Sequence, residues 1–185
     1  MTAVYVVLAV LALVALWTVL AYNALVKSRN KVDEAWSGID VQLKRRHDLV
    51  PNLVETVKGY AQHEQQTFEK TTQARAAAMQ ASSVQATQQA EAQLSGALAE
   101  VRAVSENYPE LRATENFQRL QADLNEIEDE IQASRRIYNS NVQAYNTKIQ
   151  IFPNSVVAGM GGFQAREFFE IETAAEREPV QVKFT

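Results

Sequence analysis

The segment 22–64, which decides the fold, reads YNALVKSRNKVDEAWSGIDVQLKRRHDLVPNLVETVKGYAQHE. Its apolar residues alternate in steps of four and three, which is the heptad spacing of a helix that packs against other helices. They are Val32, Trp36, Ile39, Leu43, Val50, Leu53, Val57 and Tyr60. The same spacing places two charged residues, Arg46 and Glu64, on this seam. Charged residues at such positions usually fix the register or the choice of partner.

Pro51 interrupts the seam. Proline has no N–H to donate and disfavours α geometry at the residue before it, so the helix either bends here or ends and restarts. In the second case Asp48 is a suitable N-cap. We predict a bend, because the spacing of the seam continues across Pro51.

Upstream of this segment, the run 3–21 (AVYVVLAVLALVALWTVLA) contains no charged residue. As a helix it would reach roughly 28 Å, close to the ~30 Å hydrocarbon core of a bilayer. A cleaved signal peptide is the alternative, with a small-residue site at 19–21. The run has no basic residues before it and is longer than the apolar core of a signal peptide, so we predict an uncleaved transmembrane anchor over 1–26.

The charges beside this run predict its orientation. Lys27, Arg29 and Lys31 follow it and no basic side chain precedes it. The positive-inside rule therefore places the N-terminus outside and the bulk of the chain in the cytoplasm, as a single-pass protein. Ala9, Ala12 and Ala15 would allow two such spans to pack closely.

Composition favours an all-α protein of ordinary size. The 185 residues suffice for one membrane segment and one domain, and with only 6 Gly, 4 Pro and 8% aromatic residues the long Ala-, Gln- and Leu-rich stretches favour helix. A net charge of −4 offers no general attraction for nucleic acid, which we exclude as a partner. The absence of cysteine excludes disulfides and Cys-type metal sites.

Two further long helices are predicted downstream. The weakest helical stretch, 81–83, is the expected first turn, and a second helix runs from there to about Glu106. Tyr108-Pro109 ends it, and Pro109 can open the next helix. The third helix has the clearest period and ends before Pro153: Phe117, Leu120, Leu124, Ile127, Ile131, Ser134, Tyr138, Tyr145, Ile149 and Phe152.

These lengths predict an elongated antiparallel helical bundle over 27–153, because a helix of about 40 residues extends ~60 Å. With three long helices, the third would end far from the membrane. If the chain reverses at Pro51, making four helices, the tail would return to the bilayer. The sequence leaves both topologies open.

The tail, 154–185, changes character. Gly159, Gly161 and Gly162 argue against a stable helix around Met160, whereas 163–171 can form a short amphipathic helix with Phe168 on its apolar side. Residues 180–184 alternate like a strand, which is typical of either a disordered end or a docking peptide.

Candidate chemistry is sparse, and no cofactor is predicted. His63-Glu64 lacks the second histidine of the zinc-protease motif. His47 and Asp48 could form a proton-transfer pair, but neighbouring helical residues do not face each other, so we interpret 45–48 as a solvated charged turn. The acidic run 126–130 flanks periodic apolar positions and is interpreted as a solvated face rather than a metal site.

The sequence resembles the LemA family of bacterial membrane-anchored proteins along nearly its whole length. The resemblance rests on 22–26, 32–36 with 39–43, 45–54, Gly59-Tyr60-Ala61, His63-Glu64, 108–113, 115–117, 135–139, Tyr145-Asn146 and Phe152-Pro153. It implies an N-terminal anchor, an all-helical bundle and a membrane location, for which we expect the bacterial inner membrane, and it supplies no catalytic residues. The family includes a magnetosome membrane protein, and its members often lie beside genes for membrane proteases or TPM-domain proteins, which suggests such partners.

Our leading hypothesis is a non-enzymatic membrane-anchored scaffold that forms homo-oligomers and recruits partners. The alternatives are a transmembrane signalling coiled coil and a hydrolase or hydrolase subunit that uses His63, Glu64 and a carboxylate of the third helix. The residues expected to have structural or interaction roles are Trp36, Arg46, Asp48, Pro51, Asn52, Glu64, Tyr108, Pro109, Tyr138 and Tyr145.

Overall fold

The computed structural model describes residues 1–170 and is all-α over that range, as the sequence predicts. It contains six helices: α1 (Thr2–Lys58), α2 (Gln65–Gln80), α3 (Val84–Glu106), α4 (Pro109–Arg112), α5 (Glu115–Gln150) and α6 (Asn154–Met160). The chain divides into two compact units. Of the described residues, unit 1 contains Met1–Leu43 and Asp129–Phe168, and unit 2 contains Lys44–Glu128 together with Phe169 and Glu170.

Helix α1 is unbroken over 57 residues and passes through Pro51, so the alternative of a restart at Pro51 is wrong. At 1.5 Å per residue it is about 85 Å long. Its predicted seam is confirmed from Val32 to Val57, since every seam position between them is buried except Trp36, which is half-buried. Tyr60 lies beyond the helix and is exposed.

The first reversal of the chain occurs at 59–64, well before the turn predicted at 81–83. Gly59 N–H and Ala61 N–H donate to Glu55 O (3.2 Å) and Val57 O (2.9 Å), which closes the last turn of α1. Lys58 lies in the last turn, where a basic residue suits the carboxyl end of the helix, and glycine at 59 disfavours its continuation. The turn at 81–83 is also present, as the second reversal, and Ser83 caps α3 by accepting from Ala86 N–H at 3.1 Å.

In unit 1, α1 and α5 pack antiparallel. Lys148 Nζ donates to Ala24 O at 3.1 Å, Asn141 Nδ2 donates to Lys31 O at 3.4 Å, and the Trp36 and Tyr138 rings pack edge to face at 5.4 Å. Later residues of α5 therefore contact earlier residues of α1, and α5 runs back toward the apolar segment 3–21.

In unit 2, the end of α1, α2, α3 and the start of α5 enclose a core. One cluster of buried residues comprises Leu53, Val57, Ala61, Phe68, Val101, Leu111 and Phe117. A second cluster is built largely from small side chains, Ala74, Ala78, Ala90 and Ala97, with Val50 and Leu94. The alanine-rich composition of α2 and α3 thus reflects close helix packing, since small residues let two backbones approach.

The ends of the later helices follow the predictions. Helix α3 ends at Glu106, Pro109 occupies the first turn of α4, and α5 ends at Gln150, shortly before Pro153. The predicted seam of α5 is buried or half-buried from Phe117 to Ile149, whereas Phe152 lies beyond the helix and is exposed.

Two predictions for the tail are wrong. A helix does form at Asn154–Met160, and no helix occurs in the described part of 163–171. The glycines end α6 rather than preventing it: Gly162 has φ +67°, its N–H donates to Gly159 O (3.4 Å), and Phe163 N–H donates to Ala158 O (3.0 Å). This is the Schellman pattern of a glycine-terminated helix. Ile171 and the strand-like 180–184 lie outside the described residues.

The topology that the sequence left open is thereby decided within unit 1. Four long helices, α1, α2, α3 and α5, take the place of three, because the chain reverses at 59–64 as well as at 81–83. Within unit 1, α5 returns to the end of the apolar segment, because Lys148 Nζ donates to Ala24 O. Phe163 lies beside this end, since the rings of Tyr22 and Phe163 are 5.5 Å apart.

Candidate functional site

The apolar segment of α1 is a candidate membrane span. It contains an 18-residue window of membrane-like composition in which no residue is buried by the rest of the protein. Thr18 donates its hydroxyl to Val14 O at 2.8 Å, so its polar atom is satisfied within the helix. A helix of this length and composition is suited to the hydrocarbon core of a bilayer.

Unit 2 contains a second candidate, a charged cluster of the buried Arg46, His47 and Glu91 with the half-buried Arg75, Ser95 and Glu128. Glu91 on α3 is fully buried, and each of its carboxylate oxygens has a partner on α1. Oε1 lies 2.6 Å from His47 Nε2, and Oε2 lies 3.4 Å from Arg46 Nη1. Arg46 also donates to Ser95 Oγ at 2.7 Å and pairs with Glu128 at 3.4 Å. Arg46 thus joins α1 to α3 and α5.

Pro51 takes part in this cluster through the backbone. Proline has no N–H, so the carbonyl four residues earlier, that of His47, lacks its usual helix partner. Arg75 from α2 supplies it, donating from Nε to His47 O at 2.7 Å. The proline therefore creates an acceptor that a second helix uses.

The arrangement is suited to holding helices in register. A carboxylate accepts hydrogen bonds and cannot donate them, so an ionised Glu91 requires a proton on His47 Nε2. A buried charge is tolerated only when it is paired and hydrogen-bonded, and sliding α1 by one turn against α3 would break both contacts of Glu91. Beside the cluster, Arg46, Ser95 and Glu128 line an open cleft of ≈ 270 Å³.

The cluster corrects the interpretation of 45–48 as a solvated charged turn. Arg46 and His47 are buried, whereas Arg45 and Asp48 are exposed. His47 does not pair with Asp48, as expected, and its partner Glu91 was missed. Glu91 could have been found by extending the 94–98–101 seam of α3 toward the N-terminus, where steps of three and four reach 91 and 87.

Unit 1 contains a third candidate, a strap formed by residues 163–168 and held by α1 and α5. Tyr138 and Tyr145 donate their hydroxyl protons to Glu167 O (2.9 Å) and Gln164 O (3.0 Å). Asn146 pairs with the backbone of Arg166 through two bonds, donating to its carbonyl and accepting from its N–H, both at 2.8 Å. These contacts hold the strap by its main chain.

Side chains at both ends of the strap add to this. Arg166 pairs with Asp33 on α1 at 2.8 Å. Phe163 lies between Tyr22 and the Arg29 guanidinium, which is 5.5 Å from its ring centroid. Gly161 is required here, because a Cβ at this position would lie 2.6 Å from the Phe163 ring and 3.2 Å from Tyr22.

The two strap tyrosines have shifted acidities. Burial raises the pKa of Tyr138 above its ordinary value of 10.0, against an opposing effect of the Arg166 charge. Burial likewise raises the pKa of Tyr145, opposed by Arg166 and Arg29. Both phenols therefore stay protonated, and able to donate to the strap, to higher pH than a free tyrosine.

The remaining predicted residues are dispersed. Asp48, Pro51, Asn52 and Pro109 are exposed, and Tyr108 packs half-buried against the Leu53 cluster. Glu64 is half-buried at the start of α2 without a side-chain capping bond, and the neighbouring His63 is exposed. Of the acidic run, Glu128 belongs to the charged cluster, whereas Glu126, Asp129 and Glu130 are exposed as predicted. Within residues 1–170, no three His, Cys, Asp or Glu side chains converge as for a metal ion.

These features define the class: an all-α, membrane-associated protein in which the helix that carries the candidate span also contributes core residues to the helical domain. The sequence model of the LemA family matches residues 35–184, and the chain belongs to that family.

Similar proteins have been described in several bacteria. The chain is 27% identical to protein LemA of Metamycoplasma hominis over 160 residues, which cover 81% of this chain and 72% of that protein. It is 25% identical to magnetosome protein MamQ 2 of Paramagnetospirillum magneticum, covering 84% and 66%, and to magnetosome protein MamQ of Magnetospirillum gryphiswaldense, covering 91% and 72%. The chain thus spans about two thirds to three quarters of these relatives.

Proposed function

We propose that this protein is a membrane-anchored, non-enzymatic helical scaffold that self-associates and recruits partners at the bacterial inner membrane. The observation that carries the proposal is the continuity of α1, which holds the unburied apolar window and also contributes Val32 to unit 1 and Val50 to unit 2. A helix that is both anchor and core keeps the domain at the membrane.

A structural role is supported by the way the buried charges are used. The Glu91 carboxylate contacts Arg46 and His47, and His47 O accepts a hydrogen bond from Arg75. Groups that are fully engaged with one another hold helices together, whereas catalysis calls for a group aimed at a substrate.

Self-association is proposed to use the span. Ala9, Ala12 and Ala15 are exposed and lie within a third of a turn of one another on α1, and small residues allow two membrane helices to approach closely. Partners are proposed to be other membrane proteins, including membrane proteases and TPM-domain proteins. Two of the relatives are named as magnetosome proteins, in keeping with a role in organising membranes.

Disulfide crosslinking in native membranes tests the self-association. The chain has no cysteine, so single cysteines can be placed without background. Ala12→Cys should form a covalent dimer on mild oxidation, whereas Val14→Cys, nearly opposite on the helix, should not. The absence of any dimer from Ala9→Cys, Ala12→Cys and Ala15→Cys, together with a monomer in native-membrane crosslinking, would contradict self-association.

The recruitment of partners and the orientation of the chain can each be tested. Amine-reactive crosslinking in native membranes should capture the same membrane proteins in independent preparations, and the lack of any reproducible partner contradicts the scaffold.

A cysteine at the exposed Val41 should react with a membrane-impermeant maleimide in inverted vesicles and not in intact cells. The reverse pattern would place the domain outside.

A further inference from the structure

A group of exposed apolar side chains lies where α5 gives way to α6. It comprises Ile151, Phe152, Val156 and Met160, of which Phe152 and Met160 are 83% and 81% exposed. Val156 and Met160 are one turn apart and share a face of α6. We call residues 151–160 the α5–α6 corner. Large apolar side chains exposed together indicate a surface that contacts something other than water.

The position of the corner along α1 is set by contacts on both sides of it. Before the corner, Lys148 reaches Ala24 O, and α5 continues toward the span for two more residues. After it, a Cβ on Gly161 would touch Tyr22, and the Phe163 ring packs on Tyr22. The corner therefore lies at the level of 21–24, where the apolar segment ends.

The burial of residues along α1 agrees with this position of the corner. Ala21, the last residue of the apolar segment, is buried, whereas its neighbour Leu20 is exposed. Other parts of the protein thus cover one side of α1 down to the end of the segment. Wherever that end meets the bilayer, the covering parts meet it as well.

The chemistry of the corner suits the lipid headgroup region. From 149 to 165 the sequence IQIFPNSVVAGMGGFQA carries no charge, and it is bounded by Lys148 and Arg166. Aromatic and apolar side chains flanked by basic residues are typical of segments that lie in the membrane interface. The segment is too interrupted by Pro153 and its glycines to cross the bilayer as a helix.

We infer that the α5–α6 corner inserts into the interfacial region of the same leaflet that the span enters from the domain side. Phe152, Val156 and Met160 would lie among the upper acyl chains. Unit 1 then has a second membrane contact beside α1. This inference rests on the proposed anchoring by α1, and its test is arranged so that the two can fail separately.

Single-cysteine labelling of the full chain in phosphatidylethanolamine and phosphatidylglycerol vesicles provides the test. Phe152→Cys and Met160→Cys carry an environment-sensitive fluorophore at side chains that are already exposed. Ile137→Cys is the matched control, because Ile137 is an exposed apolar residue about 20 Å along α5 from the end of that helix at Gln150. Leu13→Cys reports on the span.

The labels at 152 and 160 should show blue-shifted emission, loss of emission with a lipid nitroxide near the headgroup, and protection from aqueous iodide. The label at 137 should show no blue shift, no quenching by the lipid nitroxide and no protection from iodide. Aqueous behaviour at 152 and 160 with lipid behaviour at 13 would overturn the inference and leave the anchor intact. Blue-shifted labels that the lipid nitroxide leaves bright would show that protein covers the corner, which also overturns it. Aqueous behaviour at 13 would overturn the anchor itself.

Discussion

At the scale of single residues, Pro51 is tolerated inside an unbroken helix because Arg75 takes the carbonyl that proline leaves open. Arg75→Ala should lower the free energy of unfolding by about 1–3 kcal/mol, the cost of a buried acceptor without a partner. In a Pro51→Ala background the new N–H can bond to His47 O, so the same substitution should cost less. Denaturant titration of the four proteins of this double-mutant cycle measures the difference, and equal costs in both backgrounds would refute the link.

Glu91 is the residue on which the charged cluster depends. Glu91→Ala leaves Arg46 buried with fewer compensating charges, so it should destabilise the protein by about 3–5 kcal/mol. Glu100→Ala is the control on the same helix, because Glu100 pairs with Lys70 at the surface and should cost no more than about 1 kcal/mol. Urea unfolding followed by circular dichroism compares the two, and similar losses would argue against the buried pairing.

We expect the protein to lose stability at alkaline pH because of Tyr138 and Tyr145. Their folded pKa values lie above the ordinary 10.0, so the neutral phenols stabilise the folded state fully below pH 10.0 and cease to do so as pH rises through the folded values. A Tyr138→Phe/Tyr145→Phe variant lacks these groups and should lose less stability over that range. Tyrosinate absorbance, taken as the difference between the two proteins, should rise with a midpoint above pH 10.0, and a midpoint at or below 10.0 contradicts the prediction.

The burial of a residue could be predicted where it follows from the spacing of its neighbours in sequence. The residues that it contacts on other helices could not be predicted in this way. The buried seam positions of α1 from Val32 to Val57, Arg46 included, follow from spacing alone. The pairing of Arg46 with Glu91 needs α3 to lie beside α1, and that depends on the number of intervening turns. Asn146 likewise has a partner, the Arg166 backbone, that only the path of the tail reveals.

At the scale of elements, the two glycines around the end of α6 have different roles. Gly161→Ala forces a methyl group against the buried Phe163 ring and should cost about 1–3 kcal/mol, as overpacking does. Gly159→Ala has open space around it and should stabilise α6 by about 0.5–1 kcal/mol. Thermal unfolding of the two variants should shift in opposite directions. A shift of the same sign in both would show that Phe163 is not held as described.

Helix boundaries were predicted well where proline or serine marks them and poorly where glycine does. Pro109, Pro153 and Ser83 each stand within three residues of a helix end. At Gly59 the apolar spacing continued to Tyr60 and concealed the end of α1, and at Gly162 the glycines were taken as helix breakers rather than as the cap of a helix that precedes them. At both points glycine ends the helix, whatever the neighbouring apolar residues suggest.

At the scale of the whole molecule, membrane attachment should depend on the apolar segment of α1. Leu11→Arg places a charge near its middle, at a cost of about 2.5–3.5 kcal/mol for insertion, and should shift protein from the membrane pellet to the supernatant on carbonate extraction. Val41→Arg is the control, since Val41 is 57% exposed and Leu11 is 59% exposed. Equal retention of both variants would mean that α1 is not what holds the protein in the membrane.

Unit 1 is assembled from two stretches of chain, and the long stretch of unit 2 is encoded between them. A ribosome therefore completes Lys44–Glu128 before it reaches Asp129, so those residues can find their partners while the α1 half of unit 1 still lacks α5. During that interval Leu25, Val32 and Ile39 have no covering helix, although in the finished protein they are almost fully buried. The order of synthesis thus leaves an apolar stripe uncovered next to the candidate span until the last third of the protein has been made.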